Sequence, residues 1–200
     1  MILRERFEGI RKTIQSVYES TDAPFKLIVV ACAYPAPLRS YLASASKEYG
    51  FQVISTNHVL APTEARNLAR PFVDSDCILF IDNDVTVEKN FLETLAECAD
   101  ETGATVVGPL YLIIKNNKRI VHHAGGHVEL KTHKNQRILH QKHFFANRTL
   151  ADVQKNLSRK TVGQVEFHCM LIRRAFLEKH GALDDRLSMM EHLDLCLSVN

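Results

Sequence analysis

Apolar and polar positions alternate along the 200-residue chain in two rhythms, one helical and one extended. Phe7, Ile10, Ile14, Val17 and Tyr18 recur at three- and four-residue spacing, which predicts an amphipathic helix over residues 5–20. Residues 25–32 (Phe-Lys-Leu-Ile-Val-Val-Ala-Cys) are apolar but for Lys26 and predict the first strand. A loop and helix follow over 35–49, with Gly50 placed as a C-cap, and then a short strand over 51–55. Residues 63–70 predict a helix that starts near Pro62 and stops before Pro71. The run Ile78 to Ile81 suits a strand buried on both faces. After it, Phe91, Leu92, Leu95, Ala96 and Ala99 share a helix face that Gly103 closes, and 105–107 return to strand. This alternation of strand and helix predicts a parallel, doubly wound sheet.

Beyond Gly108-Pro109 the rhythm changes. Residues 110–114 and 120–130 predict an antiparallel pair about an Asn116-Asn117 turn. Residues 131–160 are polar without a clean period and predict a long loop or insertion. Strand returns over 165–173, a short helix over 175–180, and a last helix begins at Glu191. The expected domain is single over 1–200 and cut at both ends, with the change of rhythm dividing it into halves 1–109 and 110–200.

Composition narrows the function classes. An apolar share of 46% with 24% charged residues is that of a globular protein, and a net charge of +2 without a basic block argues against nucleic-acid binding. Five scattered cysteines without a C-x-x-C pair predict buried reduced thiols and a cytoplasmic setting. No apolar run reaches membrane-spanning length, which leaves peripheral membrane association to regions outside the chain. P-loop, G-x-G-x-x-G and G-x-S-x-G signatures are absent.

The candidate chemistry lies at the end of the buried strand. Ligands of open α/β sheets bind at the carboxyl ends of the strands. There Asp82-Asn83-Asp84 presents two hard oxygen donors for Mg²⁺ or Mn²⁺. Six of the ten histidines fall between His122 and His143; His123 and His127 would share one face of a strand, a weak candidate for zinc beside the plainer reading of a solvated strand.

These motifs, taken in order, resemble the family 2 glycosyltransferases of the GT-A fold. Glu64-Ala65-Arg66-Asn67 is similar to the helix that precedes the family's metal strand, and Ile78 to Asp84 to the metal motif itself. Val107-Gly108-Pro109 is similar to the strand end that follows the family's next helix, and His123-Ala124-Gly125-Gly126 to a Gly-containing strand of its acceptor half. Cys169 to Arg174 with Gly181 to Asp185, and then Glu191-His192-Leu193-Asp194-Leu195, resemble its last two blocks. The resemblance implies a GT-A-type, Rossmann-like α/β fold: a mainly parallel sheet flanked by helices, with an antiparallel excursion in the C-terminal half. It implies a hexosyl- or related transferase that moves a sugar from a nucleotide-diphospho-sugar, a UDP-sugar above others, to a glycan or other hydroxyl acceptor with inversion. Mn²⁺ or Mg²⁺ would sit on Asp82 and Asp84, and the donor would meet Arg66, Asn67, Asp82, Asn83 and Asp84. The base would come from Glu191 or His192, with Glu191 preferred for its acidic first position. Three departures stand beside this. Only Met1-Ile2-Leu3 occupies the place of the family's opening strand, Ala31-Cys32 follows Val30 where an aspartate is usual, and His192 replaces the second-position aspartate. The alternatives are a non-catalytic binding module and a nucleotidyltransferase on a similar fold.

Overall fold

A computed structural model describes residues 1–2, 7–187 and 189–199. A 3₁₀ turn (Phe7–Gly9) leads into α1 (Ile10–Glu19), followed by β1 (Ile28–Cys32), α2 (Ala36–Tyr49), β2 (Gln52–Thr56), α3 (Pro62–Ala69) and β3 (Cys77–Ile81). Then come α4 (Phe91–Thr102), β4 (Val106–Val107), and the strands β5 (Tyr111–Lys115), β6 (Lys118–His123), β7 (Gly126–His133) and β8 (Gln136–His143). The chain continues with α5 (Leu150–Val153), β9 (Cys169–Arg173), α6 (Arg174–His180) and α7 (Glu191–Val199). The predicted start of the first helix, 5–6, lies outside the described residues.

β1 and β2 pair in parallel, Ile28 opposite Gln52. Ile2 bridges in parallel to Val30 on one side and to Asp82 on the other, so Met1 and Ile2 join β1 to β3. The Val30 N–H donates to the Met1 carbonyl at 2.9 Å, and the Met1 amino group donates to the Ile28 carbonyl at 2.8 Å. β9 runs antiparallel between β3 and β4, with Leu79 opposite Leu171 and Val107 opposite Leu171 on the other side. The lateral order is therefore β2, β1, Met1–Ile2, β3, β9, β4, and every segment but β9 points the same way.

The unbroken apolar sequences of β1 and β3 follow from cover on both faces of the sheet. Val29 and Ala31 pack under Ile10 and Ile14 of α1 and Leu38 and Leu42 of α2, while Val30 turns to Ala65 of α3. Ile81, Leu171 and Cys169 meet Leu95 and Ala99 of α4 on the first face. Ile78, Phe80, Met170 and Ile172 meet Leu177 of α6 and Leu195 of α7 on the second. Gly50 (φ 75°) and Gly103 (φ 67°) close α2 and α4 in the left-handed region, as their positions predicted.

Two expectations change. The single strand expected over 120–130 breaks at Gly125, whose φ of 78° turns the chain, so β6 pairs with β5 and β7 pairs with β8. The polar stretch expected as a loop holds the regular hairpin β7–β8, turned by Lys134 (φ 47°) and Asn135 (φ 61°). All five cysteines are free; Cys169 and Cys196 are buried and the other three half-buried. No described helix is long and apolar enough to cross a membrane.

Candidate active site

The site is built outward from the turn that follows β3. Asp82 and Asn83 are buried there and Asp84 is exposed. Two contacts, one from α1 and one from the 3₁₀ turn before it, set this turn. The Thr13 hydroxyl donates to the Asn83 carbonyl at 2.8 Å, and Gly9 lies so close that a Cβ on it would stand 2.9 Å from the Asp84 Cα. A larger residue at 9 has no room, which is the physical reason for a glycine at the helix start.

Arg66 rises from α3 into the space beneath the turn. It is 1% exposed, donates through Nη1 to the Glu191 carboxylate at 2.9 Å, and has Nη2 4.0 Å from Asp82 Oδ1. The Phe167 ring lies 3.8 Å beneath the guanidinium. Its neighbour Asn67 faces elsewhere: its amide donates to the Leu183 carbonyl at 2.8 Å and its carbonyl oxygen accepts the Leu183 N–H at 2.9 Å. That reciprocal pair ties α3 to the segment before α7. Of the two residues expected to meet the donor, Arg66 reaches the carboxylates of Asp82 and Glu191, while the Asn67 side chain is engaged with backbone.

Glu191 opens α7, is 9% exposed and is held by Arg66. His192 is half-buried, and its buried Nε2 makes no hydrogen bond. Burial lowers its pKa below the ordinary histidine value; the nearby carboxylates of Glu166 and Glu191 oppose that shift and His143 and His168 add to it.

The sequence reading missed the partners that β9 and its approach supply. His168 Nδ1 lies 2.8 Å from Asp82 Oδ2, and the Asp82 carboxylate, through this bond and its charge, raises the His168 pKa. Asp82 keeps a buried Oδ1 that makes no hydrogen bond. Glu166 sits two residues before His168, its Oε2 3.4 Å from His168 Nε2 and 3.3 Å from Nε2 of His122 on β6. His123 and His143 border the same carboxylate. Burial pushes the His123 pKa down to about 4. His127, expected beside His123, instead packs its ring on Phe144, because the Gly125 bend separates the two strands. No periodic signal marks this cluster: the strand expected from residue 165 begins only at Cys169, and Phe167 and His168 lie in the turn before it, so the i, i+2 spacing of Glu166 and His168 is not that of one strand face.

The arrangement can hold a divalent cation on oxygen, keep a cationic group beneath it, and offer a neutral imidazole at one edge. Comparison with known proteins adds the lineage. The family model described as Glycosyl transferase family 2 matches residues 1–181. Among curated protein sequences none matches significantly. The fold superposes on the crystal structure of GalNAc-T7 with UDP, GalNAc and Mn²⁺ at a TM-score of 0.70 and 15% identity, covering 99% of this chain and 39% of that one. It superposes on the S. aureus TarS 1–349 complex with UDP at 0.63 and 16% identity, covering 100% of this chain and 53% of that one. TarS 1–349 alone gives 0.61 at 14% identity, covering 99% and 53%. The chain spans about half the length of those structures or less, and at such identities the likeness concerns the GT-A fold.

Proposed function

The chain belongs to glycosyl transferase family 2, and from that premise we propose that it transfers a sugar from a nucleotide-diphospho-sugar to an acceptor hydroxyl, inverting the anomeric centre. The UDP held by two of the similar structures, one with Mn²⁺, supports a UDP-sugar donor and a divalent cation. The observation that carries the proposal is the turn after β3. Asp82 is buried with one carboxylate oxygen making no hydrogen bond, and Asp84, exposed beside it, adds a second hard donor. That donor set fits Mn²⁺ or Mg²⁺ shared with diphosphate oxygens. Bound there, the cation would supply Lewis-acid stabilisation of the leaving nucleotide diphosphate.

The protein's own groups do the rest. Arg66 adds fixed positive charge under the carboxylates, held by Glu191 and by the Phe167 ring. The acceptor hydroxyl must lose its proton during attack. Glu191 already serves Arg66, whereas His192 carries a depressed pKa and is neutral at pH 7. His192 is the base in this proposal, and Glu191 the residue that positions Arg66. Inversion requires the acceptor to attack the anomeric carbon from the face opposite the leaving diphosphate, with His192 taking its proton.

The test is calorimetric titration of the full chain with UDP and Mn²⁺, followed by nucleotide release from a panel of nucleotide-sugars. The expected result is Mn²⁺-dependent UDP binding that Asp84→Asn weakens by about 10–100-fold or more without lowering the melting temperature. Equal affinity in Asp82→Asn, Asp84→Asn and the parent would overturn the assignment.

A further inference from the structure

We infer that His122, Glu166 and His168 form a second cation site, an open three-ligand set for a d-block divalent ion of the zinc type. It is separate from the oxygen pair Asp82 and Asp84. Four observations carry this. First, the donor atoms are spaced for it: Glu166 Oε2 lies 3.3 Å from His122 Nε2 and 3.4 Å from His168 Nε2. Metal bonds of about 2.0–2.1 Å to nitrogen and oxygen in a tetrahedron put the donors about 3.3–3.4 Å apart. Second, Glu166 Oε2 is buried and makes no hydrogen bond. A buried carboxylate oxygen in that state needs a cation or a proton to compensate it.

Third, His168 is already oriented as a ligand. Its Nδ1 sits 2.8 Å from the Asp82 carboxylate, which can only accept, so Nδ1 carries the proton and the lone pair of Nε2 points at Glu166. A carboxylate–histidine–metal relay has this form. Fourth, the ligands are held from behind: the Tyr111 hydroxyl, itself buried, lies 2.8 Å from both the Glu166 and the Cys169 carbonyls and braces the segment that carries Glu166 and His168.

The neighbouring set His123, His143 and Glu166 is the poorer choice. His123 Nδ1 accepts the Gly125 N–H at 3.2 Å, so the neutral ring has its proton on Nε2 and no lone pair to offer there. The chosen set also opens outward, since the side chains of His122 and His168 are 43% and 39% exposed, leaving a fourth position for water or a substrate oxygen. Two imidazoles and one carboxylate favour Zn²⁺, Co²⁺ or Fe²⁺ over Mg²⁺ and Ca²⁺, whereas the aspartate pair has the opposite preference.

The experiment uses the full chain stripped with chelator and titrated with Co²⁺ alone, read by its visible ligand-field absorption, and with Zn²⁺ alone, read by bound metal after gel filtration. The expected result is about one equivalent bound with a tetrahedral Co²⁺ spectrum, weakened at least ~10-fold in both His122→Ala and Glu166→Gln. Asp84→Asn should leave this binding intact while losing Mn²⁺-dependent UDP binding, so failure of the second site and failure of the transferase reading give different results. His122 is surface-accessible, so His122→Ala reports on binding even if Glu166→Gln fails to fold. The inference is overturned if neither ion binds, if His122→Ala binds as the parent does, or if Asp84→Asn alone removes the spectrum. It is also overturned if nitrogen NMR of His168 shows both ring nitrogens protonated in the presence of Zn²⁺, since a proton would then fill the place given to the metal.

Discussion

A guanidinium buried to the degree of Arg66 has to be compensated where it sits, and Glu191 and Asp82 are the carboxylates placed to do so. This requirement separates the two residues that begin α7. Replacing Glu191 by Gln leaves the Arg66 charge under-compensated and should cost up to about 3–5 kcal/mol in unfolding free energy, seen by denaturant titration. Replacing His192 by Ala leaves that pair intact and should lower kcat/KM by about 10²–10⁴ with the donor Kd unchanged. The pH profile carries a sign. The imidazole acts while unprotonated, and burial lowers its pKa, so kcat/KM should persist as pH falls through the usual histidine range near ~6.5 and decline only below it. In His192→Ala this acidic limb should vanish. Full rate in His192→Ala, with loss of rate but not of stability in Glu191→Gln, would return the base to Glu191.

At the scale of elements, the start of α1 and the turn after β3 are one unit. Gly9 meets the Asp84 Cα and the Asn83 carbonyl, and Thr13 anchors the same carbonyl. Gly9→Ala must push backbone rather than a flexible side chain, because the added Cβ would stand 2.9 Å from one backbone atom and 3.0 Å from another. The expected cost is about 1–3 kcal/mol of stability, together with weaker Mn²⁺-dependent UDP binding as the carboxylates shift. An unchanged melting temperature and affinity would show that the turn yields without cost. The hairpin β7–β8 carries the opposite lesson. Its strands are polar or exposed nearly throughout, so no alternation marks them, and its turn uses Lys134-Asn135 where glycine is the usual signal.

For the whole molecule, β9 is the strand that closes the sheet. It lies between β3 and β4, and Met170, fully buried against Phe80 and Leu195, faces the layer that carries α6 and α7. Met170→Ala should cost about 2–5 kcal/mol in urea unfolding with the slope unchanged. A loss under about 1 kcal/mol would mean that the two halves of the sheet do not depend on this contact. Because the turn entering β9 brings His168 to Asp82, the same variant should weaken Mn²⁺-dependent UDP binding more than a surface substitution does.

Local chemistry in the sequence determined much of this. The apolar runs of β1 and β3, the helical spacing of α1 and α4, the closing glycines 50 and 103 and the Asp82-Asn83-Asp84 turn follow from periodicity and backbone preference within a few neighbouring residues. Tertiary structure alone decided which distant groups meet. Arg66 and Glu191 lie 125 residues apart and His168 and Asp82 lie 86 apart, and each pair forms only once α3, β3, β9 and α7 are packed. The same holds for the direction of β9, since an apolar run is equally buried whichever way it points. It holds too for the Gly125 bend, which sends His127 to Phe144 and leaves His122 facing Glu166. A pattern along the chain records how much of a side chain is buried; the identity of its neighbour is fixed by contacts that close loops of a hundred residues, and one-dimensional periodicity does not encode those.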